Sequence, residues 1–281
     1  MGGGSYSYYN ASMRSHSLRS SSVSREEIFR NRCMNEEMDI KGKTRESCDS
    51  EEHPESFPVI IALDVTGSMG MVPEKLVKEG FPEIMKKLMD EGIDNPQVCF
   101  VGIGDFTCDN APIQVGQFES SDELTEKWLT SLYLEGGGGG NGFETYSLAY
   151  YFAARHTKTD SFDKRGKKGV LITIGDDCCN KVISQKVGEE LFGNCENDVP
   201  TSEILSEALQ KWDVYHINLK DYLGSTSAVI NSWKDLLGEN VITTENGDGN
   251  DISSIISGLV LRSFNGDSDK KKQNNVIDDE D

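Results

Sequence analysis

The sequence predicts an α/β fold, in which a doubly wound, mostly parallel central sheet has one antiparallel edge strand and helices on both faces. Two observations indicate this fold. Short, nearly continuous apolar runs, typical of strands covered on both faces, alternate with segments of helical periodicity. One further run alternates apolar and polar residues, as edge strands do. Strand–helix alternation of this kind produces parallel strands joined by crossover helices.

The strands are predicted from the apolar runs in chain order. They are 57–63 (FPVIIAL), 98–103 (VCFVGI), 170–174 (VLITI), 214–219 (VYHINL) and the short 241–243 (VIT). The alternating run 113–118 (IQVGQF) is predicted to pair with 98–103 as an antiparallel hairpin at the edge of the sheet.

Helical patterns fill the intervals between these strands. The predicted helices are 73–91, 122–131, 144–156, 183–192, 201–211, 226–237 and 250–262. The first is expected to break or kink at Gly80, Phe81 and Pro82, because proline cannot donate a backbone hydrogen bond inside a helix.

Charge divides the chain into three predicted parts. The 281 residues carry 28 basic and 48 acidic side chains, which gives a formal net charge of −20. We expect an N-terminal arm at 1–55, largely extended or partly disordered, a domain at 56–263, and an acidic disordered tail at 264–281. Segment 1–32 is rich in serine and arginine and has a net charge of +3, whereas the domain carries −15. A body this acidic repels phosphate backbones, so we expect no nucleic-acid partner.

Location is predicted from what the sequence lacks. No run of about 18 apolar residues occurs, so no membrane span is expected. The first residues do not have the basic and apolar regions of a secretory signal. The seven cysteines form no CxxC pair, and we expect them to be the reduced thiols of a cytoplasmic protein.

Polar side chains follow two of the predicted buried strands. Asp64, Thr66 and Ser68 come directly after the first strand, and Asp176 follows the strand near residue 170. Because the carboxyl ends of parallel strands meet at one edge of a sheet, these side chains are expected to lie close together. Hard oxygen ligands of this kind suit Mg²⁺ best, with Mn²⁺ or Ca²⁺ as alternatives.

This pattern resembles the von Willebrand factor A (VWA) domain, a Rossmann-like fold with a metal-ion-dependent adhesion site (MIDAS). The family's first motif is DxSxS, matched here by Asp64, Thr66 and Ser68 with Met-Gly after them. The resemblance covers about 56–263. It implies that Asp176 is the aspartate that follows the fourth strand, and that a threonine from a loop before a helix completes the site.

The chain departs from the family pattern in two places. Thr66 replaces a serine, and its hydroxyl can still bind a metal or hydrogen-bond a metal-bound water. The loop threonine is displaced from the family's spacing, so either Glu144 or Thr145 is the loop ligand. With Glu144 the site would be more anionic and more closed, and it would depend less on a partner's acid. Asp105 ends another strand near this edge, either beside the site or as a hairpin-turn residue.

The wider chain is similar to intracellular VWA proteins of bacteria and phages. The similar stretches are 45–54 (RESCDSEEHP), 136–140 (GGGGG) with the following ETY, and 153–157 (AARHT). The resemblance implies a cytoplasmic protein of a bacterial cell or a phage-infected host. It also implies a non-enzymatic adaptor or assembly factor, whose metal accepts an acidic residue of a protein partner such as an AAA+ ATPase.

An enzyme of the haloacid-dehalogenase type is the alternative hypothesis. In that phosphatase or phosphotransferase, Asp64 would be the nucleophile and Asp176 would bind Mg²⁺. The sequence disfavours this reading, because the phosphatase branch has a second acid where Thr66 stands. The nearest lysines, Lys167 and Lys168, also lie directly before the strand instead of well upstream of it.

Overall fold

Strands and helices alternate along most of the chain, and the computed structural model describes residues 4–67, 69, 71–94, 96–136, 142–220, 225–244 and 249–277. The strands are β1 (Arg45–Ser47), β2 (Phe57–Asp64), β3 (Pro96–Ile103), β4 (Ile113–Val115), β5 (Phe143–Glu144), β6 (Thr157–Thr159), β7 (Gly169–Gly175), β8 (Cys178–Cys179), β9 (Val182–Ile183), β10 (Val199–Pro200), β11 (Trp212–Leu219) and β12 (Val241–Thr244). The helices are α1 (Tyr8–Ser20), α2 (Arg25–Ile28), α3 (Met71–Lys75), α4 (Phe81–Asp90), α5 (Asp122–Thr130), α6 (Ser147–Arg155), α7 (Asp160–Arg165), α8 (Gln185–Phe192), α9 (Thr201–Lys211), α10 (Ser227–Leu237) and α11 (Gly249–Ile277).

The central sheet has six strands in the order β12-β11-β7-β2-β3-β4. Neighbouring strands run parallel except β3 and β4, which pair antiparallel with Ile103 opposite Ile113. The predicted mixed α/β fold is confirmed at this level, including the mostly parallel sheet and its antiparallel edge strand. Because the other strands point the same way, the carboxyl ends of β2, β7 and β11 lie at one edge of the sheet.

Two buried apolar clusters take alternate residues from the strands. Val59, Ile61 and Leu63 of β2 belong to one cluster, together with residues of α4 and α11. Ile60 and Ala62 belong to the other, together with residues of α6 and α9. Successive strand residues point to opposite sides of a sheet, so each cluster joins one side of the sheet to helices. This explains why the strands read as continuous apolar runs.

The seven predicted helical segments are helical in the structure, with bounds shifted by a few residues. The interruption expected near Pro82 is a π-helical turn at Leu76–Gly80, between α3 and α4. Pro82 then lies in the first turn of α4, where its missing N–H costs no intrahelical bond. At the other end of the chain, the last helix extends into the segment 264–281 for which a disordered tail is expected. α11 continues to Ile277, because no proline interrupts it and each added residue gains a hydrogen bond; residues 278–281 lie outside the described residues.

The N-terminal arm also differs from the expected extended or disordered segment. Its helix α1 lies on the acidic body, where Arg14 forms ion pairs with Asp122 at 2.7 Å and Glu126 at 2.6 Å. Further along, Phe29 and Met38 are buried in one of the two core clusters, and β1 pairs in parallel with β6. The arm is ordered by tertiary contacts instead of by its own periodicity. The domain boundaries at 55 and 263 stay predictions.

Candidate functional site

Asp64 lies at the carboxyl end of β2 with a side chain that is 1% exposed. The backbone N–H of Thr66 donates to Asp64 Oδ1 at 2.9 Å, and the Thr66 hydroxyl donates to the same oxygen at 2.6 Å. The phenol of Tyr146 donates to Asp64 Oδ2 at 2.9 Å. Both carboxylate oxygens are therefore held by neutral donors, in an orientation fixed by the turn that follows β2.

Asp176 follows β7, the neighbour of β2 in the sheet, and is buried as well. Burial raises the pKa of Asp64 from 3.8 to about 7; the hydrogen bonds from Thr66 and Tyr146 lower it, and the charge of Asp176 raises it. The structure thus brings together the two aspartates that the sequence placed at this edge. A buried carboxyl group beside a second one favours either a bound proton or a cation.

Glu144 lies on the two-residue strand β5, which pairs with β8, and the charge of Asp64 acts on its carboxyl group. Its side chain is 4% exposed, and its Oε2 has no hydrogen-bond partner among the described residues. The pKa of Glu144 is raised from 4.5 to about 10, mainly by burial and then by the charges of Asp64, Asp109, Asp105 and Asp177. These four charges are all negative.

Thr145 faces elsewhere, although it is next to Glu144. Its hydroxyl accepts a hydrogen bond from the backbone N–H of Phe106 at 3.0 Å, and its own N–H donates to the Gly104 carbonyl at 3.2 Å. Helix α6 has Tyr146 at its N-cap, without a side-chain capping bond. Thr145 therefore holds the loop after β3 against β5, and Glu144 is the one that meets the carboxyl groups.

The remaining motif residues have different settings. Thr66 is buried beside Asp64, whereas Ser68 lies outside the described residues. Asp105 is fully buried and accepts hydrogen bonds from the Thr107 N–H and hydroxyl at 2.8 and 2.7 Å. This is the geometry of an aspartate in a turn. Its charge nevertheless reaches Glu144.

Tyr146 is the residue of this site that the sequence did not indicate. It packs edge-on against His216 and Trp233, whose rings stack with centroids 3.5 Å apart. Trp233 Nε1 donates to the Asp177 carbonyl at 2.9 Å, which fixes the backbone beside Asp176. No pattern in the sequence links Tyr146 to this site; in the structure its hydroxyl oxygen lies where a Cβ at position 175 would be, at 1.7 Å, so Gly175 leaves the room for it.

The donor set was compared with what a metal ion requires. Within the described ranges, no group of three or more histidine, cysteine, aspartate and glutamate side chains is arranged to hold a metal ion. The ligands that the sequence predicts are of mixed type, since hydroxyl groups join the carboxylates. The unpartnered oxygen of Glu144 and the mutual repulsion of the carboxyl groups fit a bound cation.

Comparison with protein-family models gives no match, and comparison with curated proteins gives none either. Among solved structures, the chain is similar to the pilus adhesin SpaC of Lactobacillus rhamnosus GG, with 9% identity and a TM-score of 0.49. It is also similar to proximal thread matrix protein 1 of the mussel byssus, with 12% identity and a TM-score of 0.48. The matches cover 79% and 80% of this chain, but only 31% and 49% of those proteins.

None of the described helices is both long and apolar enough to cross a bilayer.

Proposed function

We propose that this protein is a VWA-type, metal-dependent binding module, a non-enzymatic adaptor or assembly factor of the cytoplasm in a bacterial cell or a phage-infected host. The observation that carries the proposal is the placement of the buried residues Asp64, Asp176 and Glu144 at one edge of the sheet, where the charge of Asp176 raises the pKa of Asp64 and the charge of Asp64 raises the pKa of Glu144. A divalent cation, with Mg²⁺ preferred over Mn²⁺ or Ca²⁺, would neutralise them.

The strand order of the sheet supports the interpretation that the fold is doubly wound and Rossmann-like. Counting only the sheet strands along the chain, the order is 6-5-4-1-2-3, so the direction of winding reverses between β2 and β7. Ligands of such sheets bind outside the carboxyl ends of the strands at this reversal. Asp64 follows β2 and Asp176 follows β7, so the two aspartates flank the point at which the winding reverses.

The proposed ligands are Asp64, Thr66, Ser68 and Asp176, with Glu144 from the loop. Glu144 is preferred to Thr145 because the Thr145 hydroxyl already accepts the Phe106 N–H, whereas Glu144 Oε2 lacks a partner in the described part of the chain. Tyr146 would keep Asp64 oriented by its hydrogen bond. The cation would supply a coordination position for a carboxylate of a protein partner, and an AAA+ ATPase or another assembly complex is the proposed class of partner.

The proposal is tested by metal binding of the full chain. Isothermal titration with MgCl₂ is expected to give saturable binding that Asp64→Ala weakens by about 100-fold or more, because a ligand is lost. Asp213→Asn is the matched control, since Asp213 lies on β11 at the opposite edge of the sheet. It should bind Mg²⁺ as the unaltered chain does.

Two results would contradict the proposal. The first is Mg²⁺ binding that is absent or indifferent to Asp64→Ala. The second is Mg²⁺-dependent phosphatase turnover with a beryllofluoride adduct on Asp64, which would support the enzyme of the alternative hypothesis.

A further inference from the structure

We propose that a cavity beside the candidate site binds an acidic, apolar-flanked segment of the protein partner, and that two arginines of the N-terminal arm recognise its carboxylate. The cavity has a volume of about 240 Å³. Arg25, Phe29 and Arg32 of the arm form one wall, and Val65 and Thr66 after β2 form another. The proposal deepens the proposed function, on which the identity of the occupant as a partner segment rests.

The arginines of the arm have different environments. Arg14 is held by two carboxylates of α5 at 2.7 and 2.6 Å. Arg25 is 3.6 Å from Glu26 in an exposed pair, which contributes little. Arg32 is exposed and forms no ion pair with the described residues. The two arginines at the cavity are therefore available to an anion from outside, on a molecule whose domain is otherwise strongly acidic.

The remaining lining indicates a peptide as the occupant. Phe29 and Val65 are buried apolar residues, and the half-buried Leu134 lies beside them. Tyr133 and Asn31 add polar groups at the wall, and Asn31 is fixed by a hydrogen bond from its Nδ2 to the Ser131 carbonyl. A carboxylate flanked by an aliphatic side chain matches both parts of this lining. A polyphosphate or nucleic acid does not, because the lining also contains apolar side chains and the carboxylate of Glu26.

The position of the cavity links it to the candidate site. Thr66 lines the cavity with its neighbour Gly67, and it also donates two hydrogen bonds to Asp64. A segment that presents one acid to the proposed cation would therefore run over Thr66 into the cavity. A second acid of the same segment would then meet Arg25 and Arg32. The arm would contribute directly to partner recognition.

The test uses the full chain and a fluorescein-labelled octapeptide of alternating glutamate and leucine, with the glutamine–leucine octapeptide for comparison. In Mg²⁺, Arg25→Glu and Arg32→Glu are each expected to weaken binding by about threefold to tenfold in fluorescence anisotropy, because charge reversal replaces attraction by repulsion. Arg32→Lys should retain most of the affinity. Arg19→Glu, the same change on an exposed residue of α1, should change it less than about twofold.

In EDTA the residual binding of the peptide is followed by saturation-transfer NMR. The arginine variants are expected to lower it, whereas Asp213→Asn, a change outside both the candidate site and the cavity, leaves it unchanged. If Mg²⁺ and Asp64→Ala have no effect but the arginine variants do, the cavity is supported and the proposed function fails. If binding depends on Mg²⁺ and Asp64 while Arg25→Glu and Arg32→Glu bind as Arg19→Glu does, the cavity proposal is overturned. Equal binding of the glutamine peptide would also overturn it.

Discussion

Asp49 in the arm and Asp64 at the end of β2 are both largely removed from solvent, but their pKa values are shifted in opposite directions. Asp49 accepts hydrogen bonds from the Arg165 guanidinium at 2.7 and 3.1 Å and from the Ser56 N–H and hydroxyl. Burial works to raise the pKa of Asp49, but the bonds from Arg165 and Ser56 outweigh it and hold that pKa well below the ordinary value. Burial dominates at Asp64 and raises its pKa to about 7.

The difference lies in the charges around each group, not in the number of hydrogen bonds. Asp64 has three neutral donors, and the carboxylate of Asp176 raises its pKa. Among the described residues, Arg165 thus compensates the charge of Asp49, whereas a second carboxylate acts on Asp64. A carboxylate that is paired with a cation of the chain contributes to stability. A buried carboxylate beside other carboxyl groups indicates a functional site.

The largest expected effect comes from removing the cation that compensates Asp49. Arg165→Ala should lower the free energy of unfolding by about 2–3 kcal/mol, because a partly buried carboxylate loses its bidentate partner. Lys164→Ala is the control, since that side chain is 56% exposed and lies 3.4 Å from Asp49. It should cost about 0.5 kcal/mol or less in urea denaturation. Equal losses of unfolding free energy in the two variants would contradict the inference that Arg165, and not Lys164, compensates the charge of Asp49.

A pH series compares the two aspartates directly. The folded-state pKa of Asp64 lies above its ordinary value of 3.8, so the stability from its protonation is complete below about pH 4 and is lost as the pH rises through about 7. Between pH 5 and pH 8 in EDTA, the free energy of unfolding of Asp64→Asn should therefore rise by about 2–3 kcal/mol relative to that of the unaltered chain.

Asp49→Asn is the counterpart in that series. The pKa of Asp49 is depressed, so its stabilisation is present above the ordinary value and is lost only in more acidic solution. Its difference from the unaltered chain should stay flat between about pH 5 and pH 8. Thermal or urea unfolding at each pH measures the stability difference of each variant from the unaltered chain. A flat difference for Asp64→Asn would show that Asp64 does not titrate in the folded protein between pH 5 and pH 8, which would contradict the prediction.

The smallest effect is expected from Tyr146→Phe, which removes the donor to Asp64 Oδ2 and keeps the ring. The loss should be about 1 kcal/mol and should grow as Asp64 ionises, because hydrogen bonds to charged groups are stronger. Tyr151→Phe is the matched control, since its hydroxyl donates to the neutral Asn194 carbonyl at 2.8 Å. Its loss should not change between pH 5 and pH 8, and the same pH dependence in both variants would refute the explanation.

The sheet and the positions of the two aspartates could be predicted, because both follow from local patterns. β2 and β7 are buried throughout, and the residues that follow parallel strands lie at the edge formed by the carboxyl ends of those strands. The same local reasoning failed for α1, which buries only Ala11 and Ser15 and so shows no apolar stripe. Its order depends on partners such as Asp122, more than 100 positions away in the chain.

The loop residues of the site were ambiguous for a related reason. Glu144 and Thr145 are adjacent, and only the pairing of β5 with β8 decides which one faces the carboxyl groups. Two-residue strands have too few side chains to show a period, so the sequence left both open. The structure separates them through the Phe106 N–H, which the Thr145 hydroxyl accepts.

The close approach of Tyr146 to Gly175 couples two positions that lie far apart in the chain. Even a methyl group at position 175 would occupy the space of the phenol oxygen, so Gly175→Ala would push the Tyr146 ring away from Asp64. Related sequences that carry a larger residue at position 175 are therefore expected to carry a smaller one at position 146. Such paired replacement would identify related proteins that share this site although their overall sequence similarity is low.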